Sequence, residues 1–203
     1  MKKVDYRKDF KELYLPKETP VIITVPEIQF IYVDGEGNPN KEGFRKDTEL
    51  LYALSYGVRM AYKWPEPPFD WYEYTVFPLE GVWDLVDKEI SHLDKDNLKY
   101  RIMIRQPDFL DQKLYDRIAA EASRKKKLQT ERAVFGSFTE GLVCQILHKG
   151  SYDTEARSFE IMEEFCRSKG YERIEKTHRE IYLSDPRKTK AEDLKTVLRF
   201  RIR

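Results

Sequence analysis

The order in which strands and helices follow one another constrains this chain more than its composition does. A β-branched and aromatic run from Val21 to Val33 predicts a strand, with Pro26 marking a bulge or an edge position. The tight loop Asp34-Gly35-Glu36-Gly37-Asn38-Pro39 follows. It is no phosphate loop, because no Lys-Ser/Thr follows and its two acids would repel phosphate. Phe44, Leu51, Leu54, Val58 and Ala61 recur at helical spacing and predict a helix from about Glu42 to Tyr62, ended by Pro65, Pro67 and Pro68. Asp70 to Pro78 reads as a second strand, left through a turn at Leu79-Glu80-Gly81-Val82-Trp83. Tyr100 to Arg105 alternates and reads as a third. The series is strand, helix, strand, strand.

A helix at Asp108–Lys127, capped by Asp108, interrupts the pattern, which then returns. Leu142–Leu147 reads as a strand and His148–Tyr152 as a turn. Asp153 caps a helix that runs through Ser168, turns Ala156, Phe159, Met162 and Cys166 inward and stops at Gly170. The stretch Thr177 to Pro186 reads as a strand, and Lys195–Ile202 as the last one. The expected fold class is α+β, an internal duplication of one β-α-β-β unit in a single domain, 1–203. The first half covers about 20–106, the inserted helix about 108–127 and the second half about 134–203. Such units pair into a sheet with helices on one side, and ligands commonly bind at the junction of related halves.

Period-two alternation puts Ile181 and Leu183 on one face of the 177–186 strand and His178, Glu180, Tyr182 and Ser184 on the other. A carboxylate thereby stands beside a phenol. Facing a cavity, the pair could hold a cation or move a proton; facing water, it does nothing. Glu80 has two readings as well: the counterpart of Glu180 in the first half, or part of a tight turn before Gly81.

Charged residues make up 36% of the chain but nearly cancel, to a formal net charge of +1, so no global basic excess serves nucleic-acid binding. The run Arg124-Lys125-Lys126-Lys127 reads as a solvated helix end. No apolar run approaches the ~20 residues of a membrane span, and the N-terminus lacks the apolar core of a signal peptide. Cys144 and Cys166 sit among apolar neighbours and read as buried thiols of a cytoplasmic protein. No metal is expected, since His148 and His178 form no ligand set with the cysteines. The aromatic content, 13 Tyr, 11 Phe and 3 Trp, suits a pocket for a flat amphipathic ligand. Tyr56, Trp64, Trp71, Tyr74 and Trp83 are its candidate walls, and His148 a further candidate ligand contact.

Several residues recur in an order that resembles a known family. His148-x-Gly150-x-Tyr152, Gly170-Tyr171, Glu180-Ile181-Tyr182-Leu183-Ser184-Asp185-Pro186 and Leu194-Lys195-Thr196 resemble the GyrI-like (gyrase-inhibitor-like) small-molecule-binding domain. Asp34 to Pro39 and Pro78-Leu79-Glu80-Gly81-x-Trp83 resemble a stand-alone branch of it. The resemblance implies an antiparallel sheet with pseudo-two-fold symmetry and a ligand cleft between the halves. It also implies a strand glutamate, here Glu180, at the base of an aromatic pocket. Some relatives sense cationic aromatic drugs; others are similar to hydrolases that open the cyclopropane of DNA-alkylating natural products. Such a hydrolase needs no cofactor: Glu180 is the expected general base, and Tyr152 and Tyr182 are candidates for the donor that stabilises developing negative charge. The expected partner is a hydrophobic or aromatic small molecule, with no direct nucleic acid and no membrane, and with a homodimer left open. Binding or sequestration without turnover, or a gyrase-inhibitor-like interaction, are the alternatives.

Overall fold

The computed structural model describes residues 3–90 and 94–203. Along the chain run α1 (Tyr6–Asp9), α2 (Lys11–Tyr14), β1 (Val21–Glu36), α3 (Glu42–Met60), β2 (Leu79–Leu85), β3 (Leu98–Arg105), α4 (Gln112–Lys126), β4 (Val134–Lys149), α5 (Glu155–Ser168), β5 (His178–Tyr182) and β6 (Lys195–Arg201). The class is α+β, with antiparallel strand ladders. No helix among the described residues is long and apolar enough to cross a membrane. The chain divides into two compact units, neither of them continuous in sequence. One holds the residues up to Asp5, Ile28–Leu79 and Leu85–Phe138; the other holds Tyr6–Glu27, Glu80–Asp84 and Thr139–Arg203. The helix read as an insertion, α4, is part of the first unit.

In the first unit β1 pairs with β3, from Phe30 opposite Arg105 to Glu36 opposite Lys99. Helix α3 buries Leu50, Leu51, Leu54 and Val58, the apolar stripe expected from its spacing. It packs on β3 and α4, and Gly57 makes the second contact close: a Cβ there would stand 2.7 Å from Ile118 Cγ2. Asp47 is buried on α3, held by Arg132 at 2.8 and 2.9 Å and by the Tyr100 hydroxyl at 3.1 Å. Helix α4 is capped by Asp111, which accepts from the Leu114 amide at 2.7 Å, and not by Asp108. Its last turn carries Arg124, Lys125 and Lys126, a placement the helix dipole favours.

Asp70–Pro78 is not a strand, and the expected turn at 79–83 is one. Between 70 and 78 the ladder is reduced to a single bridge between Val4 and Tyr74. The β propensity of Tyr72 and Tyr74 arises from how their rings pack, and here the rings pack without a ladder. Both meet Phe109, and Tyr74 also lies against Phe77. Pro78 has no N–H to donate, so regular pairing starts only after it, in β2.

The second unit pairs antiparallel strands in the order β2-β5-β6-β4. One face of this sheet is covered by α5, whose Met162 and Cys166 join Cys144, Ile146, Leu198, Phe200 and Ile202 in a dry core. Both thiols are free and buried, and burial pushes that of Cys144 up. The opposite face carries a buried ionic network. Arg179 pairs with Glu80 at 2.8 Å and Glu140 at 3.1 Å; Arg199 pairs with Glu140 at 2.9 Å and bonds Gln145. The network extends to α2: the Tyr14 hydroxyl donates to Glu80 and Arg199 donates to the Leu13 carbonyl. Burial pushes the Glu140 carboxyl up, but Arg179 and Arg199 outweigh this and hold it below the ordinary carboxylate range.

Candidate functional site

Strand β5 separates two environments because side chains alternate along it. Arg179 and Ile181 face the ionic side, while His178, Glu180 and Tyr182 face α5. Glu180 is only 9% exposed. His178 Nε2 lies 3.1 Å from Glu180 Oε1. The His178 ring is fixed edge-on to Phe159 of α5, with centroids 4.8 Å apart.

Across the ladder, Trp83 of β2 stands opposite His178, and Gly81 opposite Glu180. The Trp83 indole donates from Nε1 to the Tyr182 hydroxyl at 2.8 Å. Gly81 makes room for that bond: a Cβ there would lie 2.8 Å from Trp83 Nε1 and 3.0 Å from the Tyr182 oxygen. Tyr182 accepts from Trp83, and its own hydroxyl is hydrogen-bonded to the Glu180 carboxylate. Burial and the Glu180 charge push the Tyr182 phenol well above its ordinary value, which makes it a hydrogen-bond donor and not a base.

Tyr152 reaches the same place from the turn before α5. Its ring meets that of Tyr182 edge-on, with centroids 6.0 Å apart, and it is 37% exposed. Burial, followed by Glu180 and Glu155, pushes its phenol up to about 12. Gly150, at φ +128°, opens this turn with a backbone conformation that other residues rarely adopt. His148 holds the turn shut: Nδ1 meets the Ser158 hydroxyl at 2.9 Å and Nε2 meets the Ser151 carbonyl at 3.1 Å. With both ring nitrogens engaged, His148 positions the turn that carries Tyr152.

The turn also delivers a residue that sequence reasoning missed. Glu155, the first residue of α5, is 7% exposed, and its Oε1 has no hydrogen-bond partner among the described residues. Its carboxyl is pushed well above the ordinary range by burial first, then by the charges of Glu180 and Asp153. Donor atoms of Glu155, His178 and Glu180 all lie within 4.8 Å of one another. A signal was present: residues 155, 159, 162 and 166 continue one helical stripe as well as 156, 159, 162 and 166 do. The apolar Ala156 is the intuitive choice, yet it is exposed.

Of the residues expected at a site, Glu180, Tyr182, Tyr152 and Trp83 come together in the second unit, with His148 supporting them. Tyr56, Trp64, Trp71 and Tyr74 belong to the first unit. There Trp64 stacks on the Arg117 guanidinium at 3.9 Å, Trp71 donates to the Arg59 carbonyl, Tyr74 is buried, and Tyr56 is 49% exposed. Glu80 is not in a turn: it stands in β2, the second strand of its series as β5 is of the other. Its carboxylate is committed to Arg179 and Tyr14.

The chain is similar to proteins of known structure. A hydrolase from Listeria innocua shares 32% identity over 99% of this chain and 100% of its own, with a TM-score of 0.92. A second Listeria innocua structure, of a hydrolase encoded by lin2189, shares 33% over 100% of both chains, with a TM-score of 0.93. The C-terminal domain of EcmrR shares only the fold, at 14% identity over 94% of this chain and 98% of its own, with a TM-score of 0.54. No curated protein matches the chain. The model of the GyrI-like small molecule binding domain matches residues 18–203, and the chain belongs to that family.

Proposed function

We propose that this protein hydrolyses strained, flat, electrophilic small molecules of the cyclopropanoid alkylator type, with Glu180 as general base and no cofactor. The observation that carries this reading is the buried Glu180 carboxylate, oriented by His178 and set beside the Trp83–Tyr182 pair. The Listeria innocua hydrolases, similar over essentially their whole length, support turnover as the kind of activity.

In the Nε2–H tautomer His178 donates to one Glu180 oxygen and leaves the other to take a proton from water. The water oxygen attacks the strained ring carbon. The carbon–carbon bond of the ring breaks, and its electron pair moves through the conjugated system to an oxygen of the substrate. The Tyr182 phenol, protonated and already aligned by Trp83, turns from Glu180 to that oxygen and donates as negative charge develops there; the product oxygen finally takes up the proton that Glu180 removed from water, which resets the base. Tyr152, edge-on to Tyr182 and partly exposed, stacks on the flat body of the substrate. A raised phenol pKa favours both tyrosines as neutral donors over proton acceptors.

Glu180→Gln keeps the shape and removes the base. Loss of a positioned general base costs about 10²–10⁴-fold in rate. The test is multiple turnover of a cyclopropane-bearing alkylator, followed as ring-opened product by mass spectrometry. Stoichiometric protection with no product favours the second reading, sequestration of aromatic compounds, which the small-molecule-binding family supports equally.

A further inference from the structure

We propose that Glu155, His178 and Glu180 form a binding site for one first-row divalent cation of the Zn²⁺ or Mn²⁺ type. Charge accounting leads to it. Two carboxylates from different elements converge in a buried place, and the basic group at hydrogen-bond distance from Glu180 is His178. Elsewhere in the same unit every buried carboxylate of the ionic network has a guanidinium. Glu155 instead keeps an oxygen with no hydrogen-bond partner among the described residues, while the residue is over nine-tenths buried. An unpaired buried acceptor forfeits its hydration without return, and a cation restores the balance.

The geometry fits such an ion. Metal–ligand bonds of about 2.0–2.2 Å place donor atoms at most about 4.4 Å apart. The three donors already lie within 4.8 Å, so small side-chain rotations close the set. Two carboxylate oxygens and one imidazole nitrogen suit Zn²⁺, a borderline ion that takes both donor types, and Mn²⁺, a carboxylate binder with transition-metal affinity for nitrogen, better than Mg²⁺ or Ca²⁺, which prefer oxygen alone. Phe159 fixes the plane of the His178 ring, and the start of α5 fixes Glu155, so two of the three ligands are held in advance. The His178–Glu180 hydrogen bond is exchanged for two metal bonds. A bound ion on one Glu180 oxygen lowers the basicity of the whole carboxylate, so metal binding and hydrolytic function oppose each other. The site shares Glu180 with the proposed chemistry, but its existence does not depend on turnover.

Isothermal titration of ZnCl₂ and of MnCl₂ into chelator-treated full-length protein tests this. The expected result is one ion per chain, bound at least ~10-fold more weakly by Glu155→Gln and by His178→Gln; each such loss corresponds to about 1.4 kcal/mol. Circular dichroism checks that each variant is folded, and two independent ligands keep the test decisive if one variant is not. Thermal melts add a second readout: each ion raises the melting temperature of the wild type and not of the variants. No binding of either ion overturns the proposal. Equal binding by the wild type and a folded variant also overturns it, since that places the ion on other carboxylates.

Discussion

A single methyl group at position 81 probes the setting of the Trp83–Tyr182 pair. In Gly81→Ala the new Cβ falls 2.8 Å from Trp83 Nε1 and 3.0 Å from the Tyr182 oxygen, so one ring must withdraw and their bond is lost. A neutral hydrogen bond is worth about 0.5–1.5 kcal/mol, so ligand affinity is expected to fall about 3–10-fold. Loss of glycine's unfolded-state freedom offsets part of the cost to the fold, so stability changes little. Titration of an aromatic ligand followed by tryptophan fluorescence, with a thermal melt alongside, measures both effects. Tyr182→Phe isolates the donor from the ring. In the proposed mechanism the phenol meets developing negative charge, and loss of such a donor costs about 10²–10³-fold in kcat with KM little changed. Steady-state kinetics separate the two terms; an unchanged kcat assigns the donor role elsewhere. Glu180 and Tyr182 were legible in the sequence because alternation along a strand is strict. Glu155 was not, because helical spacing permits either 155 or 156 to face inward and polarity favours Ala156.

At the scale of elements, the turn before α5 controls where Tyr152 stands. Gly150 sits at φ +128°, with the Thr154 hydroxyl 3.2 Å from where a Cβ would be. Gly150→Ala is expected to destabilise the protein by about 1–3 kcal/mol, the usual cost of forcing a side chain into such a conformation, and to shift Tyr152. Chemical denaturation gives the first effect, and kinetics with a substrate give the second. The companion change His148→Ala frees Ser158 and the Ser151 carbonyl and loosens the same turn. The His-x-Gly-x-Tyr spacing thus has a physical account: one residue pins the turn, one permits it and one is delivered by it. Strand β2 was less legible. Asp70–Pro78 is rich in residues that favour strands, whereas Leu79–Leu85 contains a glycine and two acids. What makes β2 a strand is nonlocal: Glu80 finds Arg179, and Gly81 admits the Trp83–Tyr182 bond. Neither cause is visible within a short window of sequence.

For the whole molecule, the repeated strand-helix-strand-strand order foretold the class of fold and the helices α3 and α5, but not the division into units. Chain segments far apart in sequence make up each unit, and residues 80–84 belong with 139–203. Ionic pairing draws these segments together, because Glu80, Glu140, Arg179 and Arg199 satisfy one another away from water. Breaking a buried pair by removing one partner costs about 3–5 kcal/mol, since the other charge stays buried. Glu140→Gln is expected to cost that much near neutral pH, read by urea denaturation. The folded-state pKa of Glu140 is depressed, so its contribution is present above the unfolded value of 4.5 and is lost as pH falls through the lower folded value. The gap between wild type and Glu140→Gln therefore closes on acidification; a gap that persists below the folded value excludes this origin.

In the proposed reaction Glu180 takes a proton from water. Incubation of a cyclopropane-bearing alkylator with substoichiometric protein in ¹⁸O-labelled water, followed by mass spectrometry, addresses it directly. The expected result is many equivalents of ring-opened product carrying the label, with the rate falling about 10²–10⁴-fold in Glu180→Gln. Product limited to one equivalent per chain, or an unchanged rate in Glu180→Gln, would contradict it.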